Sequence, residues 1–249
     1  ALKVLRTILS WGVALLLFAG AGMTLLALSD DLVLLFVALE LVALPTYALS
    51  GWLRRARRSS EAALKYFMLG AFSSALYLYG VALAYGATGT TRLDPLAAAV
   101  AAGGLDPLYL GASVALLVAG FGFKVAAVPF HMWAPDVYEG APTPVTAFLA
   151  VGAKAAAFAA FFRAIAVGFS AASPRWAPLV EGLAILSMVA GNLLALTQKN
   201  LKRMLAYSSV GHAGYVLMGF SAAGAAAGRI PGGESVLFYL AAYTFAAVG

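Results

Sequence analysis

The chain has 249 residues, of which 63% are hydrophobic and only 10% are charged, and its mean hydropathy is +0.93. A soluble domain typically carries about 25% charged residues, so this composition predicts a polytopic membrane protein without a sizeable soluble domain. The net charge is +6, but the basic residues cluster in short loops, which argues against a nucleic-acid-binding face. The absence of cysteine excludes disulfides and thiolate-held metal or iron–sulfur sites in this chain.

Apolar runs of about 20 residues span a bilayer as helices, and the sequence predicts eight such segments. They cover residues 7–28, 32–52, 62–86, 108–128, 144–168, 178–197, 203–224 and 235–249. The fourth is expected to continue past a break as a half-helix near 130–139. The predicted fold is therefore an all-α polytopic membrane protein that forms one transmembrane domain, with about eight helices and one of them broken. Because the chain starts at Ala1 and stops inside an apolar run, we expect it to be a piece of a longer protein.

The distribution of lysine and arginine over the connections predicts the orientation of the chain. One side collects ten of the sixteen: Lys3, Arg6, Arg54, Arg55, Arg57, Arg58, Lys65, Lys199, Lys202 and Arg203. The other side collects Arg92, Arg163, Arg175 and Arg229. The excess places the connections 53–61 and 198–203 in the cytoplasm.

The two remaining basic residues, Lys124 and Lys154, lie inside strongly apolar segments, on either side of a stretch that contains the prolines at 129, 135, 142 and 144. A lysine at mid-bilayer depth is costly and by default marks an ion or proton path. Irregular backbone at that depth persists only where protein or water covers it, and broken helices beside buried charge recur in transporters. Gly120 and Gly122 precede Lys124 and predict a close approach by another backbone or by water.

Glu40 is a third charge inside an apolar segment. It lies about eight residues from the outer end of that segment, and therefore about 12 Å deep at 1.5 Å per residue. A proton-carrying role is one interpretation, and a protonated glutamate that is hydrogen-bonded to a neighbouring helix is the other.

The two histidines are weaker candidates. His212 belongs to a polar stripe with Ser208 and Tyr215 on one helix face, which suits a proton relay or polar contacts between helices. His131 follows the break and suits a relay group or a cap for freed backbone groups.

Near the cytoplasmic edge, Lys65 is spaced for an i,i+4 pair with Glu61, and Asp136 and Glu139 are expected to cap helix ends. No hydrolase, zinc-protease, phosphate-loop or dinucleotide motif occurs, so neither a metal site nor a cofactor site is predicted.

Three strings, LFVALELVALPTYALSGW, GFGFKVAAVPFHMWAPDVYEGAPTPVTAFLA and NLLALTQKNLKRMLAYSSVGHAGYVLMGF, resemble the antiporter-like subunits of proton-pumping NADH:quinone oxidoreductase, respiratory complex I. The phrase WAPDVYEGAPTPVT is most similar to the N-type subunit, the counterpart of mitochondrial subunit 2. The resemblance covers nearly the whole chain. It implies two inverted five-helix repeats, the first over about 7–168 and the second, incomplete, over about 178–249.

The resemblance also implies roles for individual residues. The family's glutamate corresponds to Glu40, its broken-helix lysine to Lys124, the lysine of the next helix to Lys154 and a further lysine to Lys65. Another lysine is expected beyond Gly249. The implied function is proton translocation through this buried Glu/Lys relay, with His131 and His212 as weaker members, driven by redox chemistry in other subunits.

The implied partners are the other membrane subunits of complex I, including the other antiporter-like ones, the hydrophilic redox arm and the lipid bilayer of a bacterial inner membrane. Flavin mononucleotide, iron–sulfur clusters and quinone are expected in partner subunits, with no cofactor in this chain. Two alternatives stay open: a subunit of a multisubunit cation/proton antiporter, and a non-conducting membrane scaffold.

Overall fold

The structure is a computed structural model that describes residues 2–225 and 231–248. Its α-helices over these residues are α1 (Leu2–Leu28), α2 (Leu32–Ser50), α3 (Arg57–Thr88), α4 (Leu93–Ala102), α5 (Pro107–Lys124), α6 (Trp133–Gly140), α7 (Thr143–Phe148), α8 (Lys154–Phe162), α9 (Ser173–Leu196), α10 (Leu201–Ala225) and α11 (Pro231–Val248). Two π-helical segments, Leu149–Ala153 and Arg163–Gly168, flank α8.

Six helical stretches in the described residues are long and apolar enough to cross a membrane. They are Leu9–Leu28, Leu32–Ser50, Arg57–Thr88, Pro107–Lys124, Thr143–Gly168 and Ser170–Leu196. The last two predicted segments, 203–224 and 235–249, coincide with α10 and α11, which are not among these six. The all-α polytopic fold is thus confirmed, whereas the count of eight spans is not. Arg229 and Gly249 lie outside the described residues.

The connection between the predicted segments 62–86 and 108–128 contains the helix α4. Leu93, Leu96 and Val100 lie on its buried side, and the first two contact Gly168, where a methyl group would lie 3.0 and 3.3 Å from their Cδ2 atoms. A ten-residue helix is too short to span a bilayer. A search for apolar runs of spanning length therefore misses it.

The predicted break in the fourth segment is confirmed, and its exposed backbone groups find partners. Helix α5 ends at Lys124, and the chain resumes helical structure at Trp133. The indole N–H of Trp133 donates to the carbonyl of Phe123 at 2.9 Å, and the backbone N–H of Val128 donates to Ser187 Oγ at 2.8 Å. These bonds satisfy backbone groups that an unbroken helix would pair internally.

Close packing between α3 and α5 rests on a glycine, as the sequence predicts. A Cβ at Gly120 would lie 2.8 Å from the Cβ of Tyr77, closer than real Cβ atoms approach. Two buried serines donate across this interface, Ser73 to the carbonyl of Gly120 at 3.0 Å and Ser113 to that of Gly80 at 2.8 Å. The interface brings the middle of α3 against the last turn of α5.

Candidate functional site

Glu40 and Lys124 form an ion pair inside the helix bundle. Lys124 Nζ lies 3.5 Å from Glu40 Oε1, and the two side chains are 9% and 25% exposed. The glutamate lies in the middle of α2, and the lysine is the last residue of α5, just before the break. Helices α2 and α5 therefore bring two of the sequence-predicted site residues into direct contact.

Ser74 is a third member of this group, and the sequence analysis missed it. Its hydroxyl donates to Glu40 Oε1 in a short hydrogen bond and accepts from Lys124 Nζ at 3.3 Å. Ser74 is buried on α3, next to the serine that bonds to Gly120. Serine is unremarkable in a membrane helix, so only the packing of α3 against α5 reveals this contact.

Lys154 is 4% exposed and has a different set of partners. Its ammonium group donates to Ser209 twice, to the backbone oxygen at 3.0 Å and to Oγ at 2.6 Å. The Tyr243 hydroxyl in turn donates to Ser209 Oγ at 2.8 Å. Lys154 begins α8 directly after the π-helical segment Leu149–Ala153, and such segments occur frequently at functional sites.

A cavity of about 390 Å³ opens beside this second lysine group. Its lining includes Ser209 and Tyr243, which carry the chain of hydrogen bonds to Lys154, together with His212, and it reaches Lys202 near the start of α10. His212 Nδ1 lies 2.7 Å from the Tyr239 hydroxyl. The polar groups around Lys154 are therefore bordered by a space large enough to hold several water molecules.

Lys124 and Lys154 share no hydrogen-bond partner within residues 2–225 and 231–248, because the first bonds to Ser74 and the second to Ser209. The structure thus brings the predicted site residues together in two groups. His131 belongs to neither: it lies in the break, and its ring centroid is 6.3 Å from that of Tyr207.

Lys65 lies in an ion cluster at the basic end of the bundle. It pairs with Glu61 at 2.8 Å, as predicted, and with Asp136 on α6 at 2.7 Å. Arg203 on α10 binds the same Asp136 at 2.6 Å and Glu139 at 3.1 Å. These two carboxylates therefore connect α6 to α3 and α10. The expectation that Asp136 and Glu139 cap helix ends is not confirmed, because the N-cap and C-cap positions of α6 are Met132 and Ala141.

The ion cluster has two consequences. It places the beginnings of α3 and α10, and hence both basic connections, at the same end of the bundle. Partial burial raises the pKa of Asp136, but hydrogen bonds from Lys65 and Arg203 outweigh this effect and hold the pKa below its ordinary value. At the other end Arg92 pairs with Asp30 at 3.6 Å, and Arg163 donates to the backbone oxygen of Ala27. This arrangement agrees with the predicted sorting of the basic residues.

Comparison with known proteins identifies the family. The family model described as "NADH:quinone oxidoreductase/Mrp antiporter, TM" matches residues 29–249. The chain belongs to this family. Among curated relatives, it is 53% identical to NADH-quinone oxidoreductase subunit N of Myxococcus xanthus over 95% of this chain and 50% of the relative. It is 50% identical to subunit N of Trichlorobacter lovleyi over 94% of this chain and 47% of the relative.

Solved structures of the family have the same fold. A chain of respiratory complex I from Thermus thermophilus with bound aureothin superposes with a TM-score of 0.77 at 42% identity, over 96% of this chain and 50% of the other. A chain of the Mrp complex from Dietzia sp. superposes with a TM-score of 0.81 at 28% identity, over 94% of this chain and 42% of the other.

This member of the antiporter family spans about half the length of the curated relatives that it matches. Its six helices of spanning length, together with its bacterial relatives, identify it as a multi-pass inner-membrane protein. The charge sorting described above adds the expectation that the basic end of the bundle faces the cytoplasm.

Proposed function

We propose that the chain is part of the N-type, proton-translocating membrane subunit of NADH:quinone oxidoreductase. The observation that carries the proposal is the partly buried Glu40–Lys124 pair inside the helix bundle, at the break of a helix. Buried ionisable residues in membrane segments are rare and mark proton or ion paths. The identity of about half of all positions to named N subunits supports the same conclusion.

The geometry of the pair allows a switch of useful size. At the observed 3.5 Å and an effective dielectric of about 20, the attraction is about 5 kcal/mol. Separation to about 10 Å would remove about 3 kcal/mol of it. Moving one charge against a membrane potential of about 150 mV costs roughly 3.5 kcal/mol, which is similar to the attraction that this separation would remove. Movement of Glu40 away from Lys124 can therefore convert the lysine from a proton holder into a proton donor.

Lys154 is the proposed second proton carrier. Its partner Ser209 and the Tyr243 that donates to Ser209 carry hydroxyl groups, which can both donate and accept. The neighbouring cavity extends towards the basic end of the bundle. Protons would exchange between Lys124 and Lys154 through water near the break. His212 borders the cavity and is the better placed of the two histidines to take part, whereas Lys65 holds α6 in position through Asp136.

We further propose that the redox chemistry lies in partner subunits. This chain would hold no flavin, iron–sulfur cluster or quinone, and it would assemble with the other antiporter-like membrane subunits and the hydrophilic redox arm. The two inverted repeats, over about 7–168 and 178–249, are part of the same proposal.

A cation/proton antiporter subunit is the alternative, because the family includes Mrp antiporters and the Mrp chain superposes equally well. The sequence identity of 53% to an N subunit against 28% to the Mrp chain favours the complex I assignment. An antiporter would exchange Na⁺ for protons without NADH. A scaffold would have no need of paired charges in its interior.

The test uses the full-length subunit in its native complex, in inverted inner-membrane vesicles. Lys124→Ala should abolish most NADH-driven proton uptake while the complex still assembles, since alanine cannot carry a proton. Lys199→Ala is the matched control, because Lys199 is exposed on a connection. Wild-type proton uptake in assembled Lys124→Ala complex would refute the role, and Na⁺-dependent uptake without NADH would favour the antiporter.

A further inference from the structure

Ser74 contacts both members of the Glu40–Lys124 pair, and its hydroxyl lies between them in the hydrogen-bond pattern. It donates to Glu40 Oε1 and accepts from Lys124 Nζ at 3.3 Å. All three groups come from different helices, α2, α3 and α5.

The distance between the two charged groups is longer than that of a direct charge-assisted hydrogen bond. Ammonium–carboxylate bonds are typically about 2.7–2.9 Å, whereas Lys124 Nζ lies 3.5 Å from Glu40 Oε1. The Ser74 hydroxyl makes a hydrogen bond to each of the two charged groups. The pair is thus held close enough to interact strongly and is still not locked in a direct bond.

We propose that Ser74 is a positioning residue of the Glu40–Lys124 pair, whose hydroxyl sets the separation of the two charges and stays bonded to Lys124 in both of its protonation states. This inference rests on the function proposed above and adds a residue to the same site.

The chemistry of a hydroxyl group suits this role. Ser74 has one donor and two acceptor positions, and its O–H can rotate. A charged Lys124 donates to it, and a neutral Lys124 can accept from it once Glu40 has moved away. A methyl group at position 74 would offer neither bond, so the neutral amine would be left without this partner in a buried site, which is costly.

The chain offers a matched control in Ser113. It is also buried at the interface of α3 and α5 and also donates across it, to the carbonyl of Gly80 at 2.8 Å. Gly80 lies six residues beyond Ser74 on α3, which is about 9 Å along the helix axis. Ser113→Ala therefore removes a buried hydrogen bond between the same two helices without changing the Glu40–Lys124 pair.

The experiment measures NADH-driven proton uptake by assembled full-length complex in inner-membrane vesicles. Ser74→Ala should reduce the rate about tenfold, which corresponds to about 1.4 kcal/mol, whereas Ser113→Ala should stay near wild type. Ser74→Thr keeps the hydroxyl and should restore most of the rate. If Ser74→Ala does not assemble, Ser74→Cys replaces it with the same expected loss, because a thiol is a weak donor and acceptor.

Double mutants separate positioning from simple packing. Ser74→Ala combined with Glu40→Gln should cost less than the product of the two single losses, since both act on one pair, while Ser113→Ala with Glu40→Gln should be multiplicative. Ser74→Ala rates equal to those of Ser113→Ala, with Lys124→Ala inactive, would overturn the role of Ser74 alone. Full uptake in Lys124→Ala would instead overturn the function on which it rests.

Discussion

Two substitutions at position 40 test whether the separation of Glu40 and Lys124 controls proton transfer. One moves the negative charge away from Lys124, and the other removes it. At 3.5 Å the attraction is about 4.7 kcal/mol at an effective dielectric of about 20. Glu40→Asp shortens the side chain by about 1.5 Å and so leaves about 3.3 kcal/mol. The difference of about 1.4 kcal/mol corresponds to a tenfold change in rate. Glu40→Gln keeps the size of the side chain and removes the whole attraction.

We therefore expect proton uptake to fall in the order wild type, Glu40→Asp, Glu40→Gln, with the aspartate variant about tenfold below wild type. The double mutant Glu40→Gln/Lys124→Ala should be no worse than Lys124→Ala, because the glutamate then has no lysine to hold in its charged form. The assay is the initial rate of NADH-driven proton uptake, normalised to the amount of assembled complex.

The control is Glu181→Gln, because Glu181 is exposed and forms no ion pair among the described residues. It should pump like the wild type. Independent, multiplicative losses in the double mutant would mean that Glu40 and Lys124 serve separate paths. Equal rates for Glu40→Asp and wild type would contradict the dependence on distance.

Three further predictions concern the rest of the site. Lys154→Ala should assemble and lose most proton uptake, because Ser209 would keep its hydroxyl but lose the proton carrier; a wild-type rate would exclude Lys154 from the path. Asp136→Asn should lower the melting temperature of the purified complex by weakening the contacts of α6 with Lys65 and Arg203, worth about 1–2 kcal/mol for this partly exposed group. The pKa of Asp136 is lower in the folded protein than its ordinary value. Its contribution to stability is therefore complete above the ordinary carboxyl pKa and is lost as pH falls through the lowered value. Unchanged stability of Asp136→Asn at pH 7 would contradict this role of the carboxylate. Ser60→Cys, in a chain with no other cysteine and at an exposed position, should react with an impermeant thiol reagent only from the cytoplasmic side, and labelling from outside intact cells would reverse the predicted topology.

The sequence alone was sufficient for the membrane class, the helical fold and the three central charges. Glu40, Lys124 and Lys154 stand out because a charge inside an apolar run is costly and therefore rare. The break near residue 130 is visible because proline cannot continue the backbone hydrogen bonds of a helix. Each of these signals lies within a few residues along the chain, so a one-dimensional pattern contains it.

The hydrogen-bond partners of these charges were decided only by the tertiary structure. Ser74 lies 34 residues from Glu40, and Ser209 lies 55 residues from Lys154. Serine occurs at many positions in this chain, and its hydroxyl can also bond to its own helix backbone, so the residue type does not show which serine meets a charge. That depends on helix packing, as at Gly120, where the missing side chain lets α3 approach α5. The sequence thus determined which charges are buried, and the packing of distant helices determined which neutral groups solvate them.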